Sequence, residues 1–398
     1  VLSSSQFRKS IMTDKNTSVP ANILSARLQP FVDDNIIAGA VMAVASKDKT
    51  LALEAVGYSD WTAKVPMKTD DVFWVASMAK PVTATGLMIL VDEGKVSLDD
   101  EVEKYIPAFK GQMVVVNGDD KLPFEPGKRP FTIREILSHT SGLPFCTKEE
   151  GWPLDALTLE QAVATYTRAQ LISQPGTTYS YSNAGINTAG RIIEIVSGMS
   201  YEDFMEERLF RPLGMKDTTF FPTAGQVRRL AHAYKPAPAP QYLKEVPIDQ
   251  LTYPLEQKKG RHPVPGGGLF STGSDLANFC RMILQDGTLE GRRYLSAAAV
   301  RTMTSQQTGL PNNDYGLGWG APDGGPFSHG GAFSTYMGVD PKAGVVRIFL
   351  IQIQGPWLDK VGESIFPAFV EATQAYAGDS PSSAAAFRTE GQASRTKA

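Results

Sequence analysis

Cysteine is nearly missing from this chain: Cys146 and Cys280 are the only two in 398 residues, too few for a disulfide framework and without companion His or Cys residues at metal-ligand spacing. They read as two free thiols. An excess of one charge is missing too. The formal net charge is −3 and no Lys/Arg cluster stands out, so the electrostatic footprint of a nucleic-acid binder is not there. Long apolar runs are lacking. The longest, 37–45 and 345–353, are of strand length, against the ~20 residues of a membrane span. The first 21 residues show no succession of basic, apolar and small residues, so an export signal is absent or already removed and the compartment stays open.

Several catalytic signatures are lacking as well. No Gly-x-Ser-x-Gly pentapeptide occurs, which argues against the nucleophile elbow of the α/β-hydrolases, and no phosphate-cradling glycine loop is present. His139, His232 and His262 fall in no metal-binding spacing and read as structural, so neither a metal nor any other cofactor is expected.

What is there is an ordinary folded composition, 42% hydrophobic and 20% charged, in a chain longer than a typical single domain. An amphipathic segment (Ile23, Leu24, Leu28, Phe31, Val32) leads into strand-like runs at 37–45 and 51–57. Further strands are expected at 333–339 and 345–353, followed by a helix over 361–376. Between these ends, 81–94, 132–138, 159–170, 184–196, 201–209 and 274–284 favour helix. The pattern predicts an α/β (α+β) fold: an antiparallel sheet from both chain ends, flanked by helices, with a mainly helical insert. The expected boundaries are 20–75 with 265–378 for a discontinuous α/β domain and 76–264 for the helical one, with 1–19 and 379–398 as flexible termini. Residues 233–264, rich in Pro, Lys and Gln, read as a long surface excursion. A cleft between the two parts is the expected ligand site.

Ser77-Met78-Ala79-Lys80 opens a segment whose Val82, Leu87, Ile89, Leu90 and Val91 read as a buried helix. Residues three apart share a helix face, so Lys80 can reach a Ser77 hydroxyl held at the helix start, as its N-cap or first residue. Pro81 is tolerable there because the first turn has little N–H bonding to lose, and Gly94 suits a helix stop. A lysine activates a serine only when neutral, and at its usual pKa of ~10.4 it is charged. The site must therefore be enclosed. Ser-x-x-Lys also occurs at Ser46-Lys49 and Ser394-Lys397, one in a turn and one in a tail; only Ser77 opens a helix.

With Tyr181-Ser182-Asn183 and His329-Gly330-Gly331, the chain resembles the serine β-lactamase-like superfamily, which includes class C β-lactamases, D-Ala-D-Ala carboxypeptidases and family VIII carboxylesterases. Its three motifs, Ser-x-x-Lys, Tyr-x-Asn and a Lys/His/Trp-x-Gly triplet, stand here in order, and Tyr-x-Asn and His-x-Gly occur once each. The stretches 137–143, 210–215 and 267–272 also look like the family, and the likeness runs from about 22 to 376. The resemblance implies the β-lactamase-like fold, with Ser77 as nucleophile and Lys80 and Tyr181 sharing its proton. Tyr181 has a phenol whose pKa can fall beside a cation. Asn183 can donate to a substrate carbonyl and accept from Lys80, or cap a helix. The resemblance further puts His329 and Gly330, Gly331 and Ala332 on a strand bordering the cleft, with the amides of Ser77 and Ala332 as oxyanion hole.

The third motif carries His where β-lactamases carry Lys, which removes a permanent positive charge from the place that holds a β-lactam carboxylate. The expectation is a serine hydrolase forming an acyl-enzyme on small esters, a carboxylesterase. The alternatives are a D-Ala-D-Ala carboxypeptidase or D-aminopeptidase, a weak β-lactamase, or a non-catalytic penicillin-binding sensor. The partner in each case is a small ester or amide. Phe145, Trp152, Tyr315 and Trp319 lie near the motifs in sequence and receive no role.

Overall fold

The seven residues Gly39–Ala45, GAVMAVA, are apolar without alternation, and all seven are buried. A strand reads this way when both faces of its sheet are covered. In the computed structural model, which describes residues 21–116, 123–239, 242–354 and 362–376, this strand lies inside a six-stranded sheet. The strand order is Phe327–Gly330, Tyr336–Asp340, Val345–Leu350, Gly39–Ala45, Thr50–Asp60 and Val65–Pro66, with neighbours antiparallel throughout. The two ends of the chain thus meet in one sheet, Val41 facing Leu350 on one side and Ala55 on the other. The expected flexible termini, 1–19 and 379–398, lie outside the described residues.

Side chains alternate across the sheet. Ala40, Met42, Val44 and Phe349 pack against Ile23, Leu24, Leu28 and Val32 of the helix Ile23–Asp33 and against Ile365, Phe366 and Phe369 of the helix Gly362–Thr373. Val41, Ala43, Val346 and Ile348 face the other way, into a core shared with Leu276, Ala277, Phe279 and Ile283 of the helix Gly273–Leu284. That second core runs on into the helical part of the molecule. Its axis is the helix Ala79–Asp92, buried nearly all round, which joins Ile186, Ala189, Ile192 and Ile193 of the helix Asn183–Ser197. Capping boxes start the short helices Ile133–Leu137, at Thr132 and Glu135, and Leu159–Tyr166, at Thr158 and Gln161.

Three details differ from the sequence reading. Residues 333–339 do not form one strand: Gly331 and Thr335 close a turn, Gly331 N–H to Thr335 O at 2.8 Å, and the strand begins at Tyr336. The helix Tyr201–Met205 passes into a π-helical turn, Glu206–Phe210. Residues 233–264 are not a bare surface excursion either. They form the hairpin Ala233–Pro236 with Leu243–Val246 and bury Ile248, Leu251, Leu255 and Val264 against Trp74, Ala76 and Phe333. Inside this segment Arg261 makes an ion pair at 2.5 Å with Asp155, both buried, and donates to the carbonyls of Leu255 and Gln257. Composition hid this because the apolar residues are spaced irregularly among Pro and Lys, which leaves no period to read. No helix among the described residues is long and apolar enough to cross a membrane.

Candidate active site

The strand Phe73–Ala76 pairs with Leu269–Ser271 and loses register between Trp74 and Ala76. Ala76 then takes a positive φ of 47°, a left-handed conformation costing a residue with a Cβ about 1–3 kcal/mol. The bend turns the chain directly into a helix start: Met78 N–H donates to Val75 O at 3.1 Å and Lys80 N–H to Ser77 O at 3.0 Å. The helix itself begins at Ala79 with Met78 as N-cap, so Ser77 stands one residue before the cap rather than at it. Every residue from 71 to 90 is buried except Ser77. The fold therefore shows one side chain of this segment to the outside, and it is the hydroxyl.

Lys80 is fully buried. Its Nζ lies 3.1 Å from Ser77 Oγ, 2.7 Å from Asn183 Oδ1 and 2.6 Å from the carbonyl oxygen of Gly266. Burial drives its pKa well below the ordinary lysine value, because a desolvated ammonium loses its hydration. The geometry decides which way the amine points once it is neutral. Two carbonyl oxygens can only accept, so they take the two N–H bonds of an –NH2 group and leave its lone pair directed at Ser77 Oγ.

Both carbonyls are held in place. Ser182, not Asn183, caps the helix Asn183–Ser197, its Oγ accepting from Gly185 N–H at 3.0 Å; Asn183 is the first helical residue and its amide is free for Lys80. One turn further on, Asn187 Oδ1 accepts from Gly266 N–H at 3.0 Å while its Nδ2 donates to Tyr166 Oη at 2.9 Å. Tyr166 in turn donates to Glu150 Oε1 at 2.5 Å. A Cβ on Gly266 would stand 2.9 Å from Asn183 Oδ1, so a larger residue there would displace the carbonyl that holds Lys80. Burial raises Glu150 to about 7.

Tyr181 precedes the same cap. Lys80 Nζ sits over its ring, 4.5 Å from the centroid, and the phenol does not become more acidic. Burial pushes its pKa up, against a hydrogen bond with Ser77 that lowers it. The expected fall beside a cation fails because the neighbouring amine is itself desolvated and lies over the ring face. His329 is on the edge strand Phe327–Gly330, its Nδ1 2.7 Å from Gly330 O and its Nε2 3.2 Å from Tyr315 Oη and 3.5 Å from Tyr181 Oη. Burial brings His329 down to about 3, so it is a neutral imidazole. Gly331 fits tightly against the nucleophile segment: a Cβ there would meet Val75 O at 2.6 Å and Thr335 Oγ1 at 2.1 Å. Gly330 is less crowded, and Ala332 is exposed on the turn that follows.

The structure thus brings Ser77, Lys80, Tyr181, Asn183, His329 and Gly331 to one place. Sequence reasoning missed Gly266, Asn187, Tyr315 and His139. His139, read as structural, is buried against the site: its ring lies 4.6 Å from that of Tyr181, its Nε2 3.1 Å from Tyr315 Oη, and its Nδ1 accepts from Ser182 N–H at 3.2 Å. The signal was its place in the stretch 137–143. Of the unassigned aromatics, Trp319 is core, stacked on Phe279, and Phe145 stacks on the Tyr181 ring at 6.4 Å with an exposed side chain. Trp152 is exposed.

A sheet drawn from both ends of the chain, lying beside a helical part with a Ser-x-x-Lys pair at the start of its central helix, is the β-lactamase-like architecture. The chain belongs to the Beta-lactamase family, whose model matches residues 24–364 and whose members include esterases and carboxypeptidases. It is 32% identical to Protein Rv1367c of Mycobacterium tuberculosis over 82% of this chain and 88% of that one. It is 30% identical to the lovastatin esterase of Penicillium rubens, over 62% of each. Among solved structures it is similar to EstCE1, described as a hydrolase with promiscuous acyltransferase activity, with a TM-score of 0.72 and 23% identity over 90% of this chain and 98% of that one. That last likeness speaks for the fold. Other relatives carry penicillin-binding protein names.

Proposed function

We propose that this protein is a carboxylesterase acting through an acyl-enzyme, with Ser77 as nucleophile and Lys80 as the base that takes its proton. The observation that carries the proposal is the Lys80 amine: buried, with two N–H bonds committed to Asn183 Oδ1 and Gly266 O, and its remaining position 3.1 Å from Ser77 Oγ. Proton transfer from Ser77 to such an amine needs no rearrangement, since the ammonium formed donates back along the same line. Ser77 Oγ attacks the ester carbonyl carbon, and the charge on the carbonyl oxygen falls to the amides of Ser77 and Ala332. The C–O bond to the alcohol then breaks, the departing alkoxide taking the Tyr181 proton, which Lys80 replaces. A raised Tyr181 pKa suits this role, because the phenol stays protonated until the leaving group needs it. Water attacks the acyl-enzyme with the same groups in reverse, releasing the acid.

The preference for neutral esters over D-Ala-D-Ala peptides and β-lactams rests on His329. Those competitors present a carboxylate beside the scissile bond, and an imidazole with a pKa of about 3 offers it no positive charge at neutral pH. Kinetics on p-nitrophenyl butyrate, a D-Ala-D-Ala peptide and a cephalosporin test this, with intact mass spectrometry to catch the acyl adduct. The expected result is ester turnover and an adduct mapping to Ser77, both lost in Ser77→Ala. Ester hydrolysis undiminished in Ser77→Ala removes the proposal. Faster turnover of the D-peptide or the cephalosporin removes the ester preference.

A further inference from the structure

His139 and Tyr315 touch no reacting atom, yet they lie in a chain of hydrogen bonds whose direction is forced from both ends. At one end the Ser182 backbone N–H, which can only donate, bonds to His139 Nδ1 at 3.2 Å. That nitrogen therefore carries no proton. Burial keeps His139 neutral, its pKa driven well below the usual value, so its one proton is on Nε2, 3.1 Å from Tyr315 Oη. At the other end the carbonyl of Gly330, which can only accept, lies 2.7 Å from His329 Nδ1. The single proton of neutral His329 is therefore on Nδ1, and its Nε2 presents a lone pair. Tyr315 Oη lies 3.2 Å from that lone pair and already accepts from His139. Its own proton points to His329.

We propose that His139 and Tyr315 are positioning residues. The one-way chain from the Ser182 amide to the Gly330 carbonyl holds His329 in its Nδ1–H tautomer with Nε2 occupied by the Tyr315 proton, and so leaves the Tyr181 proton to Ser77 and the leaving group.

The alternative bond available to Tyr181 is to the same nitrogen, 3.5 Å away and longer than the 3.2 Å bond that Tyr315 makes. Without the Tyr315 hydroxyl, the Tyr181 proton has that acceptor to itself. The circuit starts one residue after Tyr181 and returns to its hydroxyl, which ties the second and third motifs through two side chains outside both. Lys80, His139, Tyr181 and Tyr315 lie around His329, and none of these four offers a carboxylate that would stabilise an imidazolium.

The role assigned to these residues rests on the hydrolase reading, but the tautomer itself does not. Nitrogen-15 NMR of protein labelled in its four histidines, with His329 assigned by its loss in His329→Asn, reads which ring nitrogen carries the proton. It is recorded on the parent and on Ser77→Ala, which turns over no substrate. The expected result is a protonated Nδ1 and an unprotonated, hydrogen-bonded Nε2 in both, with the Nε2 signal shifted in Tyr315→Phe. In that variant kcat for an ester falls about ten- to hundredfold with KM changed less than threefold, as for a misdirected catalytic group. A proton on His329 Nε2 in the parent protein overturns the proposal, and so does a Tyr315→Phe variant with kcat within twofold of the parent. Ester inactivity of the parent with the predicted tautomer intact would sink the esterase reading and leave the hydrogen-bond chain standing.

Discussion

Two adjacent glycines of the third motif face different surroundings, and substituting each by alanine separates crowding at the nucleophile from any general intolerance of the motif. A Cβ on Gly331 would stand 2.6 Å from Val75 O, against 3.4 Å for the start of ordinary contact, so the strand must back away by about 0.8 Å (3.4 minus 2.6). Val75 O cannot yield, because it accepts from Met78 N–H at 3.1 Å and from Thr335 Oγ1 at 3.3 Å. Gly331 has no left-handed φ, so the objection is one of space alone. Overpacking of this kind costs about 1–3 kcal/mol. In the proposed oxyanion hole, moving the Ala332 amide by nearly 1 Å lowers the rate by about a hundredfold. At Gly330 the nearest atom to a new Cβ is Thr335 O at 3.5 Å, and that variant keeps activity within about threefold of the parent. Denaturant titration and kcat/KM on a p-nitrophenyl ester read the two effects. Equal behaviour of Gly330→Ala and Gly331→Ala, in either direction, would refute the reasoning.

Asn187→Leu removes the acceptor of Gly266 N–H and the donor to Tyr166; kcat falls about tenfold through the loosened Lys80 acceptor, and stability falls by about 1–3 kcal/mol from unpaired buried groups. Asn187→Leu with unchanged kcat would show that Lys80 does not depend on this support. Arg261→Met leaves Asp155 buried without its cation and lowers stability by about 3–5 kcal/mol in urea titration; a loss below about 1 kcal/mol would mean that residues 233–264 do not fold as one unit with the rest. Glu150, at about 7 in the folded protein against 4.5, keeps its proton where the unfolded chain has lost it. Stability therefore declines as pH rises from about 4.5 to about 7, by an amount on the order of 3 kcal/mol. Glu150→Gln flattens that decline and is the more stable protein at pH 8, with little difference at pH 4. Parallel melting curves of the two proteins across pH would refute this.

Much of the molecule was legible in the order of its residues. Runs rich in apolar residues at 37–45 and 345–353 announced two strands of the sheet, and three short motifs in order pointed to residues that the fold brings together. Those signals are local: each depends on a residue and neighbours within one turn or one strand. The segment 233–264 escaped because its contribution is an ion pair and scattered apolar contacts with residues 72–76, 154–155 and 333, none of which leaves a period in the sequence. His139 escaped for a related reason: a lone histidine shows its partners only when Ser182, Tyr181 and Tyr315 are folded around it.

The residues themselves determined that a hydroxyl and an amine would stand together where a buried helix begins, because the spacing of three at 77–80 leads straight into the apolar run of the helix Ala79–Asp92. Only the tertiary structure decided that the amine loses its hydration and that the histidine is neutral. Protonation follows the loss of water and the choice of hydrogen-bond partners, and for Lys80 and His329 these are supplied by Gly266, Asn183 and Tyr315, at the meeting of chain segments far apart in sequence.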